Sequence, residues 1–142
     1  MVDEQKYLRR LARLEQDLEG LLKYRGITVD RLAANLDARW AAERGLHVVI
    51  EGILDLGAHV LASDFGVQGG GYRESATLMV EHEIVSTTSL PRIASFRNVL
   101  VHEYVKMDLA VLEDILSTGL DDLRTCVDDL RKRAWESDGN SG

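Results

Sequence analysis

Eight consecutive residues, Arg97-Asn98-Val99-Leu100-Val101-His102-Glu103-Tyr104, place a permanent cation, an amide, an imidazole and a phenol close together. This set suits phosphodiester cleavage in RNA. A ribose 2′-OH that attacks its own phosphate needs a general base. Imidazole, with an ordinary pKa of about 6.5, serves as base and then as acid near neutral pH. The phosphorane-like transition state gathers negative charge on its oxygens, and a guanidinium matches those oxygens and stays protonated. Asn98 is placed to orient the phosphate or the imidazole. The substrate brings its own nucleophile, so this chemistry requires no metal. On a regular helix Arg97 and Tyr104 are nearly eclipsed, whereas His102 lies about 140° around from Arg97. The helix therefore ends before His102, or the long Arg97 stem closes the gap, or a second copy of the motif supplies the facing group. Each residue also has a plainer use. His102 sits where structural histidines are common, Arg97 can pair with Glu103 or Asp108, Tyr104 can be a core aromatic with its hydroxyl at the rim, and Asn98 can bond local backbone.

These residues need a frame. The chain has 142 residues, 45% of them hydrophobic and 29% charged, with a single proline. That composition is globular and leans toward helices. Tyr7, Leu11, Leu14, Leu18 and Leu21 repeat at helical spacing and predict a helix over 3–24, stopped near Gly26. Thr28 or Asp30 caps a second, long helix over 29–65. Gly45, Gly52 and Gly57 inside it make sense where a neighbouring helix approaches closely. The run Gly69-Gly70-Gly71 marks a loop, and a third helix follows over 72–85. Ser89-Leu90-Pro91 starts the fourth helix, which carries Arg97 and ends between His102 and Tyr104. Asp108 caps a fifth, whose seam is Leu109, Leu112, Leu116, Leu123, Cys126 and Leu130, with Gly119 in the packing. The expectation is an all-α, four- to five-helix up-down bundle over 1–136 with a flexible polar tail over 137–142. The seams of the first and fifth helices suit either an internal core or a dimer contact.

Composition also excludes functions. One cysteine leaves no disulfide framework and no multi-cysteine zinc site within one chain. Cys126 reads as core. A polar start and the lack of a continuous run of about 18 apolar residues argue against a secretory signal and a membrane span, which points to the cytoplasm. A net charge of −7 argues against broad duplex binding but leaves room for a local basic cleft.

A second cluster lies on the second helix. Glu51, Asp55 and His59 share one face, where an acid can hold Arg97 in place. The plainer reading is a solvated face, and the sharper one a mononuclear metal site on Asp55 and His59. No histidine follows a Glu by three residues, which counts against a di-metal carboxylate bundle. Arg73 and Glu74 line a cleft or cap the third helix. His47 and His82 have no evident partners. The glycine run lacks the Gly-Lys-Ser/Thr ending of a phosphate loop.

Arg97-x4-His102-x-Tyr104 resembles the Arg-x4-His-x-Tyr motif of the HepT toxins, within the HEPN superfamily of helical ribonucleases. Tyr72-Arg73-Glu74-Ser75 after the glycine loop, the proline-started helix into the motif, and the helix order extend the likeness over most of the chain. The resemblance implies a HEPN-like bundle and a homodimer whose motifs meet in a shared cleft. It implies metal-independent RNA cleavage there by Arg97 and His102, with tRNA a plausible target. It also implies a toxin–antitoxin pair in which an MntA-type nucleotidyltransferase antitoxin transfers AMP to Tyr104. No cofactor is implied for this chain. The alternative is a non-catalytic helical adaptor that binds a nucleotidyltransferase.

Overall fold

The computed structural model describes residues 4–101 and 108–140, with side chains for 4–100 and 108–134. His102 and Tyr104 therefore lie outside the described residues. The described residues form an all-α bundle with no strand among them. The helices are α1 (Glu4–Leu22), α2 (Val29–Ala34), α3 (Leu36–Phe65), α4 (Tyr72–Glu81), α5 (Leu90–Val101), α6 (Leu109–Asp114) and α7 (Leu120–Asn140). A π-helical turn, Ile115–Gly119, joins α6 to α7 without a break.

The long second helix expected over 29–65 is divided at Asn35. Asn35 is extended at φ −126°, and its side chain accepts from the Ala38 amide while its own amide donates to Arg31 O. One residue thus ends α2 and caps α3, a use for which asparagine is well suited. Thr28 caps α2 by accepting from the Arg31 amide at 3.2 Å. The third helix also stops earlier than its periodicity suggests. Glu83 adopts φ 58°, and Ile84 and Val85 turn into the core, their amides donating to Met79 O. Asp108 caps α6 through the Ala110 amide.

The core wraps α3, which packs against α1, α2, α4, α5 and α7. The α1 seam Tyr7, Leu11, Leu14, Leu18 and Leu21 is buried inside the chain, as are Leu112, Leu116, Leu123, Cys126 and Leu130. Both seams are internal core. Tyr7 near the start of α1 donates to Leu130 O in the middle of α7, while Arg25 just beyond α1 pairs with Asp121 at the start of α7. The two helices are therefore antiparallel. Burial pushes the Tyr7 hydroxyl up to about 12 and the Cys126 thiol likewise, so neither is poised to ionise near neutrality.

Glycine sets the close approaches on α3. A Cβ on Gly52 would sit 2.9 Å from a Leu14 methyl of α1, and one on Gly57 would run into the Met79 thioether of α4. Tyr72 lies near Glu51 and Met79 near Gly57, so α4 advances along α3 in the same sense. Gly66, left-handed at φ 65°, starts the loop that runs back to make this possible. By length and composition α3 is apolar enough to cross a bilayer, but here it is the central core helix, with half of its most apolar window buried. That window also holds Glu51 and Asp55, which look out of the core.

Candidate functional site

Helix α5 begins with Leu90 and Pro91 and delivers Arg97 against the middle of α3. There Glu51 points outward. Arg97 donates to Glu51 Oε1 twice, from Nε at 3.1 Å and from Nη2 at 2.7 Å. The Tyr72 hydroxyl, at the first turn of α4, lies 3.5 Å from the same oxygen. Its ring lies under the guanidinium, 4.2 Å from Arg97 Cζ to the ring centroid. His47, one turn before Glu51 on α3, puts Nε2 at 3.1 Å from Oε1. That contact is off-line for a hydrogen bond, and Nε2 has no aligned partner. Arg44 Nη1 lies 3.4 Å from His47 Nδ1. A guanidinium only donates, so Nδ1 is the accepting side of that contact.

Arg97 is thus gripped by a carboxylate from α3 and an aromatic ring from α4. Its side chain is about one-fifth exposed and that of Glu51 about one-third. The hydrogen bonds from Arg97, with a smaller part from His47, hold the Glu51 carboxyl below its ordinary range. Nη1 of Arg97 takes no partner among the described residues, which leaves donors for a ligand oxygen. A guanidinium fixed by a carboxylate and an aromatic face has given up most of its rotamer freedom before any ligand arrives.

Asn98 is exposed, next to Arg97 on α5. Asp55 does not join the cluster. It lines an open cavity of about 530 Å³ with Arg10, Arg13 and Asp17, between α1 and α3. Loss of solvent around the carboxyl, and then the Glu51 charge, raises its pKa. Arg73 is exposed on α4 and reaches Ser95 of α5 at 3.5 Å, so it braces the two helices that carry Tyr72 and Arg97. Glu74 accepts from the Gly70 amide, a local tie at the start of α4. Among the described residues no three His, Cys, Asp or Glu side chains come together as a metal site, so Asp55 and His59 find no third donor.

By sequence neither His47, which has no evident partner there, nor Tyr72, which enters only within the Tyr72-Arg73-Glu74-Ser75 likeness, has a place in the site. For His47 a signal existed, because it stands four residues before Glu51 and therefore on the same face. The contact of Tyr72 with Arg97 and Glu51 comes from the parallel passage of α4 along α3.

A model of the family described as "Ribonuclease HepT-like" matches residues 7–130. The chain belongs to the HepT-like ribonuclease family. Among curated proteins none matches it. Solved structures of like fold include two toxin–antitoxin complexes. One is a tri-AMPylated HEPN toxin from Shewanella oneidensis in complex with MNT antitoxin. It is 16% identical with a TM-score of 0.77, over 93% of this chain and 99% of that one. The other is a toxin–antitoxin with AMP-PNP, 15% identical with a TM-score of 0.76, over 89% of this chain and 97% of that one. At such identities the likeness is one of fold.

Proposed function

We propose that this HepT-like chain is the toxin of a toxin–antitoxin pair: a cytoplasmic, metal-independent RNA endonuclease with its active site in the cleft of a homodimer. The observation that carries the reading is the Arg97 guanidinium, fixed by Glu51 and Tyr72 five residues ahead of His102, with Nη1 left without a partner among the described residues. In this reading His102 takes the proton from a ribose 2′-OH. The freed oxygen attacks the adjacent phosphorus, and the bond to the 5′-oxygen of the next nucleotide breaks. The products are a 2′,3′-cyclic phosphate and a 5′-hydroxyl, with the second proton delivered by imidazolium. Arg97 stabilises the charge on the non-bridging oxygens. Asn98, exposed beside it, positions the phosphate, with Glu51 and Arg73 in support and Asp55 at most a distant charge. RNA is the substrate class, and tRNA a target within it.

The partner in this reading is a nucleotidyltransferase antitoxin of the MntA type, which transfers AMP to Tyr104. Support comes from the family, and from the two structures of like fold, of which one is tri-AMPylated and bound to MNT antitoxin and the other holds AMP-PNP. Each AMP adds roughly one phosphate charge and a bulky base, both adverse to RNA entry. Intact mass after co-expression with such an antitoxin tests this part. Steps of AMP mass that vanish in Tyr104→Phe are expected, and an unmodified wild type contradicts it. For the chemistry, His102→Ala is expected to abolish growth inhibition while keeping the fold. A fully toxic His102→Ala protein overturns the catalytic assignment. The non-catalytic adaptor is favoured instead if the wild type cleaves no RNA and Arg97→Ala loses the nucleotidyltransferase.

A further inference from the structure

Beyond the Arg97 cluster, one ridge of α3 leads away from it. Trp40, Arg44, His47 and Glu51 follow at intervals of four, three and four residues, so they stack along one face. The ridge covers roughly 16 Å at 1.5 Å per residue. Its far end is Trp40, whose side chain is 58% exposed, the highest exposure among the large hydrophobic residues described. Between Trp40 and the Arg97 cluster an open cavity of about 310 Å³ is lined by Trp40, Glu43, Arg44, His47 and Leu100. Leu100 belongs to α5, one turn beyond Arg97, and His47 is also the neighbour of Glu51. The cavity therefore shares His47 with the cluster and lies one turn of α5 from Arg97.

The charges on this ridge are unequal. Glu43 is engaged by Arg39 at 2.9 Å. Arg44 is exposed and has no carboxylate within ion-pair distance among the described residues. On a chain of net charge −7, an exposed aromatic plane beside an uncompensated guanidinium and an imidazole is a local departure from the surface around it. An unpaired base has a π face that stacks on indole, and its phosphate is matched by Arg44. A purely apolar protein contact would leave Arg44 and His47 covered without partners, at a desolvation cost.

We propose that Trp40 and Arg44 form a subsite for a single-stranded nucleotide flanking the scissile bond, Trp40 stacking the base and Arg44 holding its phosphate. This rests on the RNA-cleaving reading above. It predicts that substrate is taken unpaired, because a base inside a duplex cannot present its face to Trp40.

The test uses the full chain with His102→Ala, so that RNA is bound and not cut, and a short single-stranded RNA of mixed sequence. With Trp135→Phe added, Trp40 is the only tryptophan left. Its emission is expected to be quenched as RNA is added. Trp40→Ala should weaken RNA binding by about tenfold or more, within the range for loss of one base stack. Trp40→Phe should keep most of the affinity. Trp40→Leu, which keeps apolar area but no π face, should behave like Trp40→Ala. Arg44→Ala should weaken binding and flatten its salt dependence. Unchanged affinity in Trp40→Ala overturns the subsite while leaving the RNA-cleaving reading intact, and so does a Leu variant that binds like Phe. If Trp40→Ala binds RNA normally but loses self-association or the antitoxin, the ridge is a protein contact. If the parent binds no RNA at all, both readings fall together.

Discussion

Two of the arginine–carboxylate pairs that tie helices together differ in one respect that matters. Arg131 of α7 meets Glu15 of α1 with Nε and Nη2 on two different oxygens. It is a matched fork on a surface about two-fifths exposed on both sides. Arg97 uses the same two nitrogens, but both fall on Glu51 Oε1, the oxygen that His47 and Tyr72 also approach. The first pair is a latch between α1 and α7. The second converges several groups on one atom, is less exposed, and holds a cation beside an open cavity. Equal pairing chemistry thus serves adhesion in one place and orientation in the other.

The comparison breaks first on activity. Arg97→Ala is expected to lower the rate of RNA cleavage by roughly a hundred- to a thousandfold, as when one preorganised donor to a developing oxyanion is lost. Arg131→Ala should leave that rate within about twofold and cost at most about 1 kcal/mol in denaturant titration, since the pair is exposed. Equal losses of activity in the two variants would erase the distinction.

A smaller effect separates a filled position on α3 from an open one at the start of α4. Gly57→Ala should destabilise the fold by about 1–3 kcal/mol, because the new methyl displaces Met79 in a filled core. Gly71→Ala, with nothing within 4 Å of its Cβ and an extended φ of −174°, should change stability by less than about 0.5 kcal/mol. Chemical denaturation of both reads the difference.

The smallest effect is a pH dependence. Glu51 has its pKa lowered on folding, so its ionic contribution is complete above the ordinary value of 4.5 and fades as pH falls below that through the folded pKa. Glu51→Gln should therefore melt below the wild type at pH 7, and the gap should close in the acid range. Glu15→Gln serves as the comparison. A Glu51→Gln deficit that persists undiminished in acid would mean that packing, and not the charge, holds Arg97.

The bundle was largely legible in the sequence because its signals are local. The five-residue seam of α1, Pro91 at the start of α5 and the Asp108 cap act within a turn or two of themselves. Asn35 was harder, since the apolar pattern runs on across it and only the competition of its amide for backbone divides the helix. The π-helical turn was hidden for a different reason. It lets Leu116 O accept from the Gly26 amide, a partner far back in the chain, just beyond α1. Gly119 lies within that turn, where a Cβ would stand 3.1 Å from Ile115. The site divides in the same way. Arg97 was visible from its neighbours in sequence and Glu51 from its place on a shared face, whereas Tyr72 enters only because the glycine loop carries the chain back along α3.

The most direct measurement is cleavage of a short RNA by the purified chain in excess chelator, wild type beside His102→Ala, with the new ends identified. The account predicts 2′,3′-cyclic phosphate ends from the wild type and none from the variant. Cleavage that stops when divalent ions are removed, or that survives in His102→Ala, would contradict it.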